Sequence, residues 1–139
     1  MELEVKILTE VIEKQLGITY KQMMSPTRLK ELVYSRAIFS VIARRYLNMT
    51  FHKIGELLKR DHSSIIFYMK KHDNEYELYK DYRDMYKKIY ASVEALFIIN
   101  TEFNADYLRA KIKDMQSEID MTNAMIMKYE ERIKNMEEA

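Results

Sequence analysis

Two stretches separated by four residues decide the fold of this chain: Thr50-Phe51-His52-Lys53-Ile54-Gly55 and Arg60-Asp61-His62-Ser63-Ser64. Thr50 and Asp61 are of residue types that cap the amino ends of helices. Each is followed by apolar residues at helical spacing, namely Ile54, Leu57 and Leu58 in the first case and Ile65, Ile66 and Met69 in the second. The second helix opens with polar side chains that are able to hydrogen-bond base edges. The stretch therefore predicts a helix-turn-helix at about residues 50–74 that binds duplex DNA.

The charge distribution favours a polyanion contact at the same place. The 139 residues have a net charge of +1, but residues 21–72 hold 11 basic and 3 acidic side chains, a net of +8. Residues 1–20 have a net charge of −2 and residues 73–139 one of −5. The positive block thus coincides with the predicted helix-turn-helix, where a contact with the DNA backbone requires it.

Three helices are predicted before this motif. They are indicated by apolar residues at helical spacing and by residues that end or cap helices. Gly17 is suited to end the first, and Pro26 ends the second because it disfavours helical backbone at Ser25. The third, capped by Thr27, is apolar around much of its circumference, which predicts a central place in the core. The predicted ranges are about 3–16, 19–24 and 28–48.

Five tyrosines follow the motif at intervals of three or four residues, at Tyr76, Tyr79, Tyr82, Tyr86 and Tyr90. This pattern predicts the buried side of an amphipathic helix that folds back on its domain. The alternative is a platform on which the bases of single-stranded DNA stack.

The last part of the chain carries a heptad repeat. A polar interruption at Asn100, Thr101, Asn104 and Asp106 predicts a boundary between a domain at 1–99 and an extension at 100–139. In the extension, isoleucine occupies every a position, which favours a coiled coil and a homodimer. The alternative is an intramolecular hairpin with residues 96–108. The predicted oligomerisation residues are Ile112, Met115, Ile119, Thr122, Ile126, Tyr129, Ile133 and Met136.

Composition argues against several other classes. The chain has no cysteine, which excludes disulfides and thiolate metal sites and fits a reducing cytoplasm. It has no long uncharged apolar run that would span a membrane, and its acidic amino end is unlike a signal peptide. His52, His62 and His72 are spaced so that they fall on different helix faces, so we expect no metal site. With two glycines there is no phosphate-binding loop. We therefore expect a binding module without cofactor or small-molecule substrate, and not an enzyme.

The segment from about Val5 to Val93 resembles the DNA-binding domain at the carboxyl end of the bacterial replication initiator DnaA. The resemblance is carried by Ile42-Ala43-Arg44-Arg45-Tyr46-Leu47, by Thr50-Phe51-His52-Lys53-Ile54-Gly55, by Lys59-Arg60-Asp61-His62-Ser63-Ser64-Ile65, and by Ile18-Thr19-Tyr20-Lys21-Gln22-Met23-Met24. It implies an all-α fold, with a helix-turn-helix bundle like domain IV of DnaA followed by the heptad-patterned helix. It also implies binding to double-stranded DNA without the initiator's ATPase.

The resemblance assigns roles by position. Arg28 matches a basic residue that enters an adjacent minor groove, Arg36 one that contacts the DNA backbone, and Arg44 one that approaches a base or a phosphate. Asp61 and His62, with Ser63, match the trio that reads base edges in the major groove. The remaining expected contacts, to the backbone, to phosphates or to a thymine methyl, are Thr50, Phe51, His52, Lys53, Arg60, Ser64, Lys70 and Lys71.

Three departures from the family pattern bear on the DNA site. Ser63 and Ser64 replace threonines, and His52 replaces a proline, so apolar contacts to thymine methyl groups are missing. The turn is one residue shorter, since Leu58-Lys59-Arg60 stands for a longer Gly-Gly turn. We expect DNA binding to persist while the preferred site drifts.

These features predict a sequence-specific regulator of transcription or replication, of a reduced architecture that suits a bacteriophage or mobile element. The alternative is an interaction scaffold in which the DnaA-like domain is degenerate and the coiled coil captures a partner helix.

Overall fold

The structure, a computed structural model, describes residues 2–102 and 105–139. Within these residues every regular element is an α-helix, as the sequence predicted, and none of them is long and apolar enough to cross a bilayer. The described chain divides into two units, one up to Phe97 and one from Ile98. The helices are α1 (Leu3–Leu16), α2 (Tyr20–Met24), α3 (Lys30–Arg45), α4 (Phe51–Leu58), α5 (His62–Leu78), α6 (Lys80–Glu102) and α7 (Ala105–Glu138).

Local capping accounts for the ends of the short helices. α1 ends at Leu16 and is capped by Gly17, which adopts a left-handed φ of 69°. α2 begins with a capping box in which Thr19 Oγ1 accepts from the Gln22 N–H (3.1 Å) and Gln22 Oε1 accepts from the Thr19 N–H (2.8 Å). Thr50 caps α4 by accepting from the Lys53 N–H at 3.1 Å. The caps predicted at Gly17 and Thr50 are confirmed, and the capping box at Thr19 was not predicted.

The central helix, α3, is shorter than predicted at both ends. It begins at Lys30 after Leu29, and the expected cap Thr27 instead accepts from the Leu29 N–H at 3.4 Å. It ends at Arg45, because the chain leaves the helical conformation and Asn48 takes a left-handed φ of 56°. Its middle section is buried all round, and it packs against α1, α2, α4 and α5. The predicted central position is therefore confirmed.

One apolar core joins the helices of the first unit. α6 reaches it through long aromatic side chains, with the Tyr46 ring 5.4 Å from Tyr90 and 5.7 Å from Phe97 between centroids. Tyr20 ties α2 to α4 by donating its hydroxyl to the Leu57 carbonyl at 2.6 Å. The fully buried apolar residues include Leu8, Ile12, Met23, Ile38, Phe39, Ile42, Ile54, Leu58, Ile65, Ile89 and Val93.

The tyrosine stripe is split between two helices. α5 ends at Leu78, and Tyr79 is extended (φ −123°, ψ 115°), so the periodicity continues across a break that the sequence did not reveal. Tyr82 is buried, and its hydroxyl forms a hydrogen bond of 2.8 Å with His72 Nδ1. Tyr79 is exposed. The other members of the stripe, Tyr76, Tyr86 and Tyr90, are half-buried. Packing, rather than a stacking platform, is confirmed for all but Tyr79.

The second unit contains the heptad helix. α6 continues through Asn100 and Thr101 to Glu102, and α7 begins at Ala105; Asn104 lies outside the described residues. No described side chain of α7 is buried. The side chains of the seam from Ile112 to Met136 are exposed.

Candidate nucleic-acid interface

The amino end of α5 presents the predicted base-reading trio to solvent. Asp61 caps the helix, since its Oδ1 accepts from the Ser64 N–H at 2.9 Å and from the Ser63 hydroxyl at 3.0 Å. These hydrogen bonds hold the pKa of Asp61 below its ordinary value, so the carboxylate is ionised at neutral pH. The side chains of Asp61, His62 and Ser63 are exposed. A carboxylate, an imidazole and a hydroxyl are therefore exposed together at the start of one helix.

The turn that connects α4 to α5 is a three-residue Schellman-type turn. Lys59 adopts a left-handed φ of 54°, and the Arg60 N–H donates to the Gly55 carbonyl at 2.9 Å. A Cβ on Gly55 would lie 2.7 Å from the Arg60 carbonyl oxygen, which is closer than carbon and oxygen approach. Glycine at 55 is thus what allows the turn to fold back on α4.

Aromatic contacts fix the first residue of α4 beside the first residue of α5. The rings of Phe51 and His62 meet edge to face at 5.4 Å between centroids. The Arg44 guanidinium lies over the Phe51 ring at 4.8 Å and donates to the Met49 carbonyl at 3.0 Å. The Phe51 ring therefore lies between the Arg44 guanidinium and the His62 ring.

Arg36 has a different position from the one predicted. It was expected to contact the DNA backbone, but it is 1% exposed and donates to three carbonyls at 2.7 Å each: Nε to Met23, Nη1 to Thr27 and Nη2 to Ser25. A guanidinium so engaged can reach a phosphate only by giving up buried hydrogen bonds. The expectation of a direct DNA contact is therefore corrected: Arg36 holds the loop between α2 and α3.

Arg60, expected at a phosphate, binds the same loop. Its guanidinium donates to the carbonyls of Ser25 and Leu58, the latter at 3.1 Å. The loop that it holds carries Arg28, whose side chain is exposed. Arg60 therefore acts first by fixing the position of Arg28 relative to the turn.

An open groove lies between this loop and α5. Its lining includes Pro26 and Arg28 on one side and Asp61, Ser63, Phe67 and Lys71 on the other. Phe67 was not singled out from the sequence, although a signal exists. It lies four residues from both Ser63 and Lys71, on the same helix face, and outside the buried stripe of Ile65 and Tyr68.

A family model described as the bacterial DnaA protein helix-turn-helix matches residues 5–71. Residues 5–71, referred to below as the DnaA-type domain, are thus similar to the helix-turn-helix of bacterial DnaA proteins. The chain is 32% identical over 74 residues to the chromosomal replication initiator protein DnaA of Thermoanaerobacter sp. (strain X514), covering 53% of this chain and 17% of that protein. It is 31% identical over 65 residues to the protein of the same name from Mycoplasma genitalium, covering 47% of this chain and 15% of the relative. The match thus covers about a sixth of these relatives' own length.

Other predicted contacts of the DnaA-type domain are engaged in ion pairs at its surface. Lys53 Nζ lies 2.9 Å from Glu2 Oε1, and this bond raises the pKa of Lys53. Lys71 Nζ lies 3.0 Å from Glu75 Oε1, which likewise raises its pKa. His52 Nε2 lies 2.9 Å from Glu56. The Lys53–Glu2 pair is exposed and contributes little to stability, so Lys53 can exchange the carboxylate for a phosphate. Glu75 is buried, so Lys71 could bind a phosphate only by leaving a buried carboxylate without its cation. Lys70 is exposed.

The three histidines have three different surroundings. His52 is exposed on α4, His62 opens α5, and His72 is buried among the tyrosines, where burial first and the charge of Arg45 second lower its pKa to about 4. In the part of the chain that the structure describes, no group of three or more histidine, aspartate or glutamate side chains is placed to hold a metal ion.

Proposed function

We propose that this chain is a sequence-specific double-stranded-DNA-binding protein whose DnaA-type domain reads the major groove with the amino end of α5. The observation that carries the proposal is the exposed trio Asp61, His62 and Ser63 at the start of that helix. The Asp61 carboxylate suits the amino group of cytosine, the imidazole suits a purine acceptor, and the Ser63 hydroxyl suits either kind of edge. The domain binds; we assign it no catalytic step.

Arg28 would contact the minor groove next to the segment that α5 reads. It stands on the opposite wall of the groove from α5, on a loop that Arg36 and Arg60 hold in place. A guanidinium inserted there is favoured by the negative potential of a narrow A·T-rich minor groove. Thr50, Phe51 and Arg44, grouped beside His62, would contact the DNA backbone.

The exposed seam of α7 would pair two copies of the chain. Its a positions are all isoleucine, and a 34-residue helix with an unburied apolar stripe is a poor monomer in water. A parallel homodimer would carry two DnaA-type domains and bind two half-sites, which raises affinity through effective concentration. The relatives bear the name of replication initiators, so we place the role in the regulation of replication or of transcription.

Selection from a random duplex library by the wild-type protein tests this proposal. We expect one enriched sequence, and a His62→Ala, Ser63→Ala double variant should bind it at least about tenfold more weakly. Asn74→Ala, an exposed change further along α5, is the matched control and should bind like the wild type. Recovery of no preferred sequence would contradict the proposal. If the protein then still self-associates without binding duplex DNA, the interaction scaffold is the better account.

A further inference from the structure

Phe67 is a large aromatic side chain left uncovered on the helix proposed to read DNA. It is 55% exposed and lies one turn beyond Ser63 and Ser64. Spacing of four residues places it on one face with Ser63 and Lys71, and all three line the groove opposite Arg28. An exposed aromatic ring thus lies in the same groove as Arg28, Asp61 and Lys71.

The core does not require Phe67. The buried stripe of α5 is formed by Ile65, Tyr68 and His72, on a different face of the helix. The Phe67 ring contacts the Tyr68 ring with centroids 5.7 Å apart, which steadies it while leaving its outer surface open. Its exposure is therefore compatible with a contact made only when a ligand enters the groove.

The major groove offers one apolar group to such a ring, the C5-methyl of thymine. Ser63 and Ser64 present only hydroxyls at the head of the helix, and neither supplies a methyl group. We propose that Phe67 is a specificity-determining residue whose ring packs on the C5-methyl of one thymine in the recognised sequence. This inference rests on the proposed function and deepens it, because it assigns a preferred base to a residue one turn inside α5.

Replacement of thymine by deoxyuridine removes only the methyl group and therefore tests the contact directly. Each thymine of the selected duplex is replaced in turn, on both strands, and affinity is measured by fluorescence anisotropy for the wild type, Phe67→Leu and Phe67→Asn. Loss of one buried methyl corresponds to about a fourfold weaker affinity. We expect that loss at one thymine for the wild type, a smaller loss at the same thymine for Phe67→Leu, and none for Phe67→Asn.

The possible outcomes distinguish a failure of the role assigned to Phe67 from a failure of the proposed DNA-binding function. Sequence-specific binding with no thymine-dependent loss, or with the same loss in Phe67→Asn, overturns the role of Phe67 alone. Absence of any sequence preference in the wild-type protein overturns the proposed function and this inference with it. Because Phe67 is exposed, both variants should unfold at the wild-type temperature, which shows that a change in affinity is not a loss of fold.

Discussion

Arg36 and Arg60 donate to the same carbonyl oxygen, that of Ser25. Arg36 comes from the central helix and Arg60 from the turn of the helix-turn-helix, so one backbone atom of the α2–α3 loop joins both. Burial lowers the pKa of Arg36, and the nearby charge of Arg60 lowers it further. This arrangement fixes the loop that carries Arg28 to the turn that delivers α5, and it links the two walls of the proposed DNA-binding groove.

Arg36→Met is expected to lower the free energy of unfolding by at least ~3 kcal/mol, because three carbonyls lose a charged donor in a buried site. Urea denaturation measures this. Arg45→Met is the matched control on the same helix: its ion pair with Asp73 is exposed, so its loss should cost less than about 1 kcal/mol. Equal stability of the two variants would show that Arg36 does not hold the loop.

Lys59→Gly is expected to stabilise the domain by about 1 kcal/mol, since lysine pays a steric penalty at a left-handed φ that glycine does not. Lys59→Ala removes the same charge and keeps the penalty, so its stability should stay near that of the wild type. Thermal unfolding of the three proteins checks the order. A stabilised Lys59→Ala would mean that charge, rather than backbone conformation, governs this position.

Stability should fall between pH 7.5 and pH 5 because His72 is held neutral. Its pKa is lowered to about 4 in the folded chain, so between that value and the ordinary 6.5 the unfolded chain binds more protons. The contribution is fully present above pH 6.5 and is lost as the pH falls towards 4; about 2 kcal/mol of it should be gone at pH 5.

His72→Gln tests the assignment, because glutamine can still hydrogen-bond Tyr82 but does not titrate. The variant should be less stable at pH 7.5 and should lose less stability on acidification than the wild type. Denaturation curves with the same pH dependence in both proteins would place the titrating group elsewhere.

Ile126→Glu is expected to raise the dissociation constant of the proposed homodimer by on the order of 100-fold, since it places like charges in the seam. Met127→Glu is its neighbour at a b position and should leave the constant unchanged; in the single chain the two residues are 46% and 70% exposed. Sedimentation equilibrium measures both. A monomeric wild type, or equal weakening by the two changes, would contradict pairing through this seam.

The local features of the fold were predictable because their causes are local. Thr19, Thr50 and Asp61 cap helices through their own side chains within three residues, and Gly17 ends a helix through its own backbone. The helix-turn-helix follows from these caps and from the apolar residues between them.

Features that depend on the direction of a side chain were the ones that the sequence analysis missed. Arg36 was expected to contact DNA because its position matched a DNA-contacting residue of the family, although its spacing from Leu32 and Phe39 places it on the buried face of α3. The break between α5 and α6 at Tyr79 was not predictable, because no proline or glycine lies there and the helical spacing of the tyrosines continues across it. The position of Phe67 outside the buried stripe of α5 was visible in the sequence. Its place in a groove opposite Arg28 is known only from the structure.

The most direct test of the account is the affinity of the wild-type protein for a labelled duplex carrying a DnaA-type box and for a scrambled duplex of equal composition. Fluorescence anisotropy across a salt series gives both affinities. We expect tight binding to one specific sequence, which is either the box or the sequence recovered by selection. The affinity for the scrambled duplex should be weaker and should depend more steeply on salt. Absence of binding to every duplex at low salt would contradict the central claim that the amino end of α5 reads DNA.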